Sequence, residues 1–295
     1  MSAADAALGA LTRSGFATLR ALGPVRGPAT GARVLRRLGP LTKAHRIAMA
    51  NIAAAFPDRD AAFHRATADE AWDNLGRTAC EYVHIERIWD LTEPRDPGGA
   101  IQVDDATDAR FRDLRANPRP TLVFAAHLAN WELPAVAAAK HGLHAAVLYR
   151  TPNARPVADA ILNLRRDLMG ELVPAGLMAP ARLAKALDRG AVVGMIVDQR
   201  FGRGPTVDFL GRPAQANPLL ANLARRHGCE VRGCRAIRLG RASRFRLELT
   251  DPIPLPHDAA GGVDVAAATQ AINDVIAGWI REHPGQWLWM HRRWR

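Results

Sequence analysis

From residue 101 onward, short apolar runs alternate with helical patterns, and this alternation limits the fold more than any other feature of the chain. Strands are expected at 101–103, 122–126, 145–149, 192–197, 230–236 and 245–250. Helical patterns lie between them at 131–140, 156–169, 179–189 and 217–227, the last opening with Asn217 as a cap and Pro218 at the first helical position. A final helix is expected at 264–282, with Val265, Ala268, Ile272, Val275 and Trp279 on one face. Upstream, the stretch ending at Pro57 and residues 66–90 read as helices, and "LTEPRDPGG" then breaks the chain. The expected class is α/β: a mixed, mostly parallel central sheet flanked by helices, preceded by a helical N-terminal extension. No internal repeat or low-complexity tract interrupts it.

The extension, residues 1–44, is amphipathic and basic, and residues 45–295 form the main domain. On a helical projection Leu8, Leu11, Phe16, Leu19 and Leu22 fall within an arc of roughly 140°, with Arg13 and Arg20 at its edge. Further cations follow at Arg26, Arg33, Arg36, Arg37 and Lys43, and "GPVRGP" and "LGP" are expected to break the segment into short helical pieces. Such a stripe either packs on the domain's own core or lies in a membrane interface; the basic run favours the membrane. No stretch approaches the roughly 18 to 20 apolar residues a spanning helix needs. The N-terminus carries no compact apolar region with a cleavage site, so a cytoplasmic-side location is expected.

The 40 Lys+Arg residues outnumber 29 Asp+Glu, a net charge of +11, which calls for an anionic partner surface. The basic segments lack interleaved aromatics and no DNA-reading motif appears, so nucleic acid is not expected. Three cysteines, Cys80, Cys229 and Cys234, stand without a second CxxC or a matching His pair, which leaves buried thiols and no metal site as the expectation.

Chemistry concentrates in "TLVFAAHLANWELPA", residues 121–135. "TLVFAA" reads as a buried strand and "NWELPAVAAAK" as the start of a helix, which places His127 at the carboxyl end of a strand, where open α/β sheets bind ligands. Within one ideal helix His127 and Glu132 would stand about 140° apart and could not meet. With His127 on the turn before the helix, the chain can fold back so that Glu132 accepts a hydrogen bond from one imidazole nitrogen, leaving the other free as a base. No serine or cysteine stands beside the pair, so the simplest chemistry is deprotonation of an acceptor hydroxyl that itself attacks an acyl group.

Polar residues gather at other strand ends: Tyr149, Arg150 and Asn153 in "VLYRTPN", Asp198 and Gln199 in "IVDQRFG". Asp198 either caps the turn after its strand or faces a substrate; Arg150 either pairs with a structural carboxylate or lines a cleft. Arg165 and Arg166 read as a solvated face, or as a landing area for an acidic partner. In "HPGQWLWMHRRWR", Arg292 and Arg293 either stack on aromatics or grip headgroups, and Trp287, Trp289 and Trp294 serve as core or as interface anchors.

The order R-x4-N-x4-FP, H-x4-E, YR-x-x-N, DQ with a later F-x-G, and a closing HP-x-QW-x-W-x-HRR resembles the bacterial lipid A biosynthesis (lauroyl/myristoyl, late) acyltransferase family, within the wider H-x4-D/E glycerolipid acyltransferase group. The resemblance runs from residue 45 to residue 295. It implies transfer of a fatty acyl chain from an acyl carrier protein thioester to a hydroxyl of a lipid A precursor at the cytoplasmic face of the inner membrane. It further implies His127 as general base, Glu132 as its partner, and Arg150, Asn153, Asp198 and Gln199 in substrate binding, with no metal and no organic cofactor. The family's usual membrane span is reduced here to the amphipathic stretch. An acyl-CoA-dependent relative acting on another acceptor, such as a phosphatidylinositol mannoside or a lysolipid, carries the same H-x4-E. A non-catalytic basic membrane- or nucleic-acid-binding protein is the reading of another class.

Overall fold

The computed structural model describes residues 3–89, 100–150, 155–166 and 168–294, without the side chains of 3–7 and 155–158. The helical part comes first: α1 (Ala3–Leu38), α2 (Lys43–Ala55), α3 (Ala61–Glu81) and a short α4 (Ile85–Ile88). The alternating part follows as β1 (Ile101–Val103), α5 (Asp105–Ala116), β2 (Thr121–Ala125), α6 (Leu133–Lys140), β3 (Ala145–Tyr149), α7 (Arg155–Arg166), β4 (Glu171–Pro174), α8 (Ala179–Asp188) and β5 (Val192–Ile196). A small antiparallel pair, β6 (Thr206–Asp208) and β7 (Pro213–Gln215), precedes α9 (Leu219–His227), β8 (Glu230–Arg238), β9 (Phe245–Leu249) and α10 (Val265–Glu282).

The central sheet has seven strands in the order β1-β9-β8-β2-β5-β3-β4. Every pairing is parallel except β8 with β9, so the sheet is mixed but mostly parallel, as the alternation implied. Side chains alternate across it. One face sends Leu122, Phe124, Val193 and Met195 against Leu183 of α8, Leu220 of α9 and Ile276 of α10. On that face Phe124 stacks on Trp279 with ring centroids 5.5 Å apart. The adjoining β8 position must be Gly233, because a Cβ there would lie 2.8 Å from both rings. The other face meets Phe111 and Leu114 of α5 and Leu133 and Val136 of α6. The expected segment "LTEPRDPGG" lies outside the described residues.

The N-terminal stretch breaks where "GPVRGP" and "LGP" were expected to break it: two helical lengths meet at a kink at Gly23, whose φ of 76° and ψ of 172° are non-helical, and the second ends at Leu38, although Pro28 lies inside it. Pro24 follows the kink, so it occupies a first helical turn, where its missing N–H has no intrahelical carbonyl to reach. Beyond the kink α1 packs tightly on α3: a Cβ at Gly31 would stand 2.4 Å from the Gly76 carbonyl oxygen, and Arg36 pairs with Asp69 at 2.7 Å. Leu11 and Val25 remain 70% and 78% exposed. Among the described residues no helix is long and apolar enough to cross a membrane.

Candidate active site

His127 lies two residues beyond β2, before α6 rather than within it. The loop that carries it is pinned from both sides. Ala129, buried and at a φ of 47°, donates its amide to Gln286 O at 2.8 Å, while its carbonyl accepts from Asn74 Nδ2 and Thr78 Oγ1 of α3. Leu128 bridges to Trp287, and the Leu288 amide donates to His127 O at 3.1 Å. Helix α3 and the 286–288 segment therefore hold the backbone at His127 in place.

The carboxylate that meets the imidazole is Asp198. His127 Nδ1 is 2.7 Å from Asp198 Oδ1, the His127 amide donates to Oδ2 at 2.8 Å, and Trp287 Nε1 donates to the same Oδ2 at 2.7 Å. The register explains the meeting: Ala125 is opposite Ile196 in the parallel β2–β5 pair, so the positions two further along, His127 and Asp198, stand side by side. Because an ionised carboxylate only accepts, the proton sits on Nδ1 and the Nε2 lone pair is left to the site, with Gln199 Nε2 at 3.5 Å.

Burial works against charge on both partners, and the pair overrides it. Asp198 is fully buried; burial pushes its carboxyl up, yet His127, His291 and the Trp287 indole hold it well below the usual carboxylate range. Burial likewise pushes the His127 imidazolium down, but Asp198 outweighs this and the pKa is raised. His291, whose ring centroid is 6.5 Å from that of His127, has its pKa lowered by burial; its Nδ1 meets Leu288 O at 2.6 Å.

Glu132, the expected partner, faces elsewhere. It occupies the residue before α6, is 5% exposed, and accepts from the Tyr82 hydroxyl and from Arg165 Nη2 and Nε, the last at 2.9 Å. The physical reason is competition. A two-pronged guanidinium from α7 and a phenol from the end of α3 satisfy the carboxylate, and the turn of the chain between His127 and Glu132 aims it at those helices rather than back at the imidazole. The Arg165 pKa is raised, since Glu132 more than offsets burial, and burial first, then Glu132, drives the Tyr82 pKa far up.

Both His127 and Glu132 line a cavity of about 480 Å³ under α5 and α6. Its walls are largely apolar, with Val123, Ala125, Val147, Leu172, Ile196 and Met169 among them; Tyr149, Arg150, Arg165 and Gln199 add polar groups. Arg150 is exposed at the end of β3 and has no ion-pair partner among the described residues, while Asn153 lies outside them. Of the sequence candidates, His127, Gln199, Glu132 and Arg150 line one cavity, while Asp198 is fully buried beside His127; only His127, Asp198 and Gln199 are joined by close contact. Tyr82 reads in the sequence only as part of a helical face, and Arg165, read there as a solvated face or a landing area for an acidic partner, is a buried ion-pair partner.

The tryptophans of the last segment are core: Trp287, Trp289 and Trp294 are all buried. So is Arg293, with its guanidinium over Phe209 at 4.6 Å and bonds to Gln215 O and Asn273 Oδ1; burial lowers it to about 10. Arg292 is exposed. Burial raises Cys229 to about 11 and Cys234 to about 12, as inert thiols require. Among the described residues no group of His, Cys, Asp and Glu is arranged to hold a metal.

The site is thus a carboxylate-oriented imidazole beside a largely apolar cavity, at the carboxyl edge of a mostly parallel sheet. The family model for bacterial lipid A biosynthesis acyltransferases matches residues 17–295, nearly the whole chain. The protein belongs to that family, and an acyltransferase role in lipid A synthesis comes with it. A search of the curated proteins returned no match.

Proposed function

We propose that the protein transfers a fatty acyl chain from an acyl carrier protein thioester to a hydroxyl of a lipid A precursor, with His127 and Asp198 as the working pair. The observation that carries this reading is the dyad itself, whose imidazole lines a largely apolar cavity of about 480 Å³. The acyl chain enters the cavity, leaving the thioester carbonyl beside His127 Nε2. Nε2 takes the hydroxyl proton as the acceptor oxygen attacks the carbonyl carbon, and Asp198 stabilises the imidazolium. As the tetrahedral intermediate collapses, the C–S bond breaks and the imidazolium returns the proton to the leaving thiolate. Glu132 serves at one remove: it fixes Arg165, whose positive charge lines the same cavity. Arg150 and Gln199, which line the cavity, bind the substrate, and the sequence pattern assigns Asn153 to the same task.

The net charge of +11 suits both an acidic carrier protein and an anionic lipid acceptor. Exposed Leu11 and Val25 on α1, among the arginines of that helix, support docking on the cytoplasmic face of the inner membrane. The test is product analysis by mass spectrometry after incubation with lipid A precursors and a panel of carrier-protein and coenzyme A thioesters. Wild type should form acylated product with the carrier thioester, and His127→Ala should not; transfer surviving His127→Ala removes the proposed base.

A further inference from the structure

Gly194 stands in the middle of β5 and lines the cavity. The parallel register sets Val123 of β2, Gly194, Val147 of β3 and Leu172 of β4 in one row across four strands, and all four line the cavity. Three of them bring side chains; the fourth brings none.

A glycine inside a strand loses conformational freedom and packing, so a reason for it is expected. The two usual reasons fail here. Gly194 is not among the glycines of positive φ. Nor does a neighbour crowd it: a Cβ would meet nothing closer than Val147 Cγ2 at 3.9 Å, an ordinary contact, whereas Gly233 in β8 would meet two rings at 2.8 Å. What a side chain at 194 would occupy is cavity space. Asp198 is level with His127 and lies four positions further along the chain than Gly194. At about 3.3 Å per residue, position 194 is therefore on the order of 13 Å deeper than the base, level with the distal part of a bound chain and away from the thioester carbon.

We propose that Gly194 sets how long an alkyl chain the cavity holds, by leaving the space open between the base and the deeper row of Val192 and Ala145. The inference deepens the acyl-transfer reading above and rests on it for the identity of the chain. A side chain at 194 shortens the space from below in proportion to its size.

The experiment compares wild type with Gly194→Ala, Gly194→Val and Gly194→Leu as full chains, in two measurements. In the first, saturated acyl thioesters of graded length compete for one acceptor, and the ratio of long-chain to short-chain product is read. That ratio should fall stepwise from Ala to Leu, by at least about tenfold for Val, because extra methyl groups in a filled site are poorly accommodated. A general loss of folded protein lowers all products together and does not move the ratio; an unchanged ratio overturns the proposal. In the second, native mass spectrometry with free saturated fatty acids reads cavity occupancy without turnover. Wild type should retain long chains and Gly194→Leu only shorter ones, and equal retention by both, or none by wild type, overturns the proposal. If wild type retains long chains in the expected pattern yet transfers none, the acyl-transfer reading fails while the role of Gly194 stands.

Discussion

The Trp287 indole and the His127 backbone amide donate to the same oxygen, Asp198 Oδ2, leaving Oδ1 to the imidazole. Both oxygens of a fully buried carboxylate are thereby committed, and the carboxylate is aimed before any substrate arrives.

Asp198→Asn should lower kcat by about 10²- to 10⁴-fold, because the amide neither stabilises the imidazolium nor selects the tautomer that leaves Nε2 free. Trp287→Phe keeps the ring but removes one donor, so a loss nearer tenfold is expected. Steady-state rates with the carrier thioester check both, and an Asp198→Asn enzyme of wild-type kcat would refute the pairing as a catalytic device.

The raised His127 pKa fixes the direction of the pH profile. Only the neutral imidazole accepts a proton, so kcat/KM should fall as pH drops through a value above the ordinary imidazole pKa of about 6.5. In Asp198→Asn the carboxylate that raises the pKa is gone and burial remains, so the acid limb moves to lower pH. Stability follows the same pair. The His127 contribution is full below the ordinary imidazole pKa and is lost as pH rises through the raised value. The Asp198 contribution is present above the ordinary carboxylate range and is lost as pH falls through its depressed value. Rate profiles of the two proteins, with thermal midpoints across pH, test these signs.

Glu132→Ala leaves the Arg165 guanidinium, 14% exposed, without its carboxylate, and should destabilise the fold by about 3–5 kcal/mol. Glu132→Ala combined with Arg165→Met should recover much of that stability without recovering activity. Urea unfolding of the single and double variants reads the difference; a double variant no more stable than the single one would mean that burial of the unpaired charge is not the cause.

Leu11→Asp together with Val25→Asp should weaken binding to anionic vesicles by about tenfold or more, given the apolar area each side chain offers. Deleting residues 1–24 should release the protein altogether. Unchanged flotation of both variants would reject α1 as the membrane-facing element.

The strands legible in the sequence include continuous apolar runs such as "TLVFA" and "VVGMI", which burial on both faces favours, and also β1 "IQV" and β9 "FRLEL", where apolar residues alternate with polar ones. Those missed lack such a pattern: β4 "ELVP" and β7 "PAQ" carry a proline, and β6 "TVD" has a single apolar residue. Helix α5 escaped notice because only Thr107, Phe111 and Leu114 are buried along its charged sequence. At the site, His127 was legible as a strand-end histidine, and its spacing from Glu132 suggested a local partner. The partner that the fold supplies is 71 residues away, and only the pairing of β2 with β5 brings it near. Tyr82 and Arg165 were obscured for the same reason, since nothing local marks two side chains from different helices as sharing one carboxylate.

Because the register of β2 on β5 is what sets His127 beside Asp198, the centre behaves like a vernier scale read at one mark. Substitutions within either strand can alter packing while the mark stays aligned. Loss or gain of a single residue in β2 or β5 is different in kind, since it turns every later side chain to the opposite face of the sheet and parts base from carboxylate in one step. The lineage of this site can therefore vary widely in side chains along these two strands, but scarcely at all in their length.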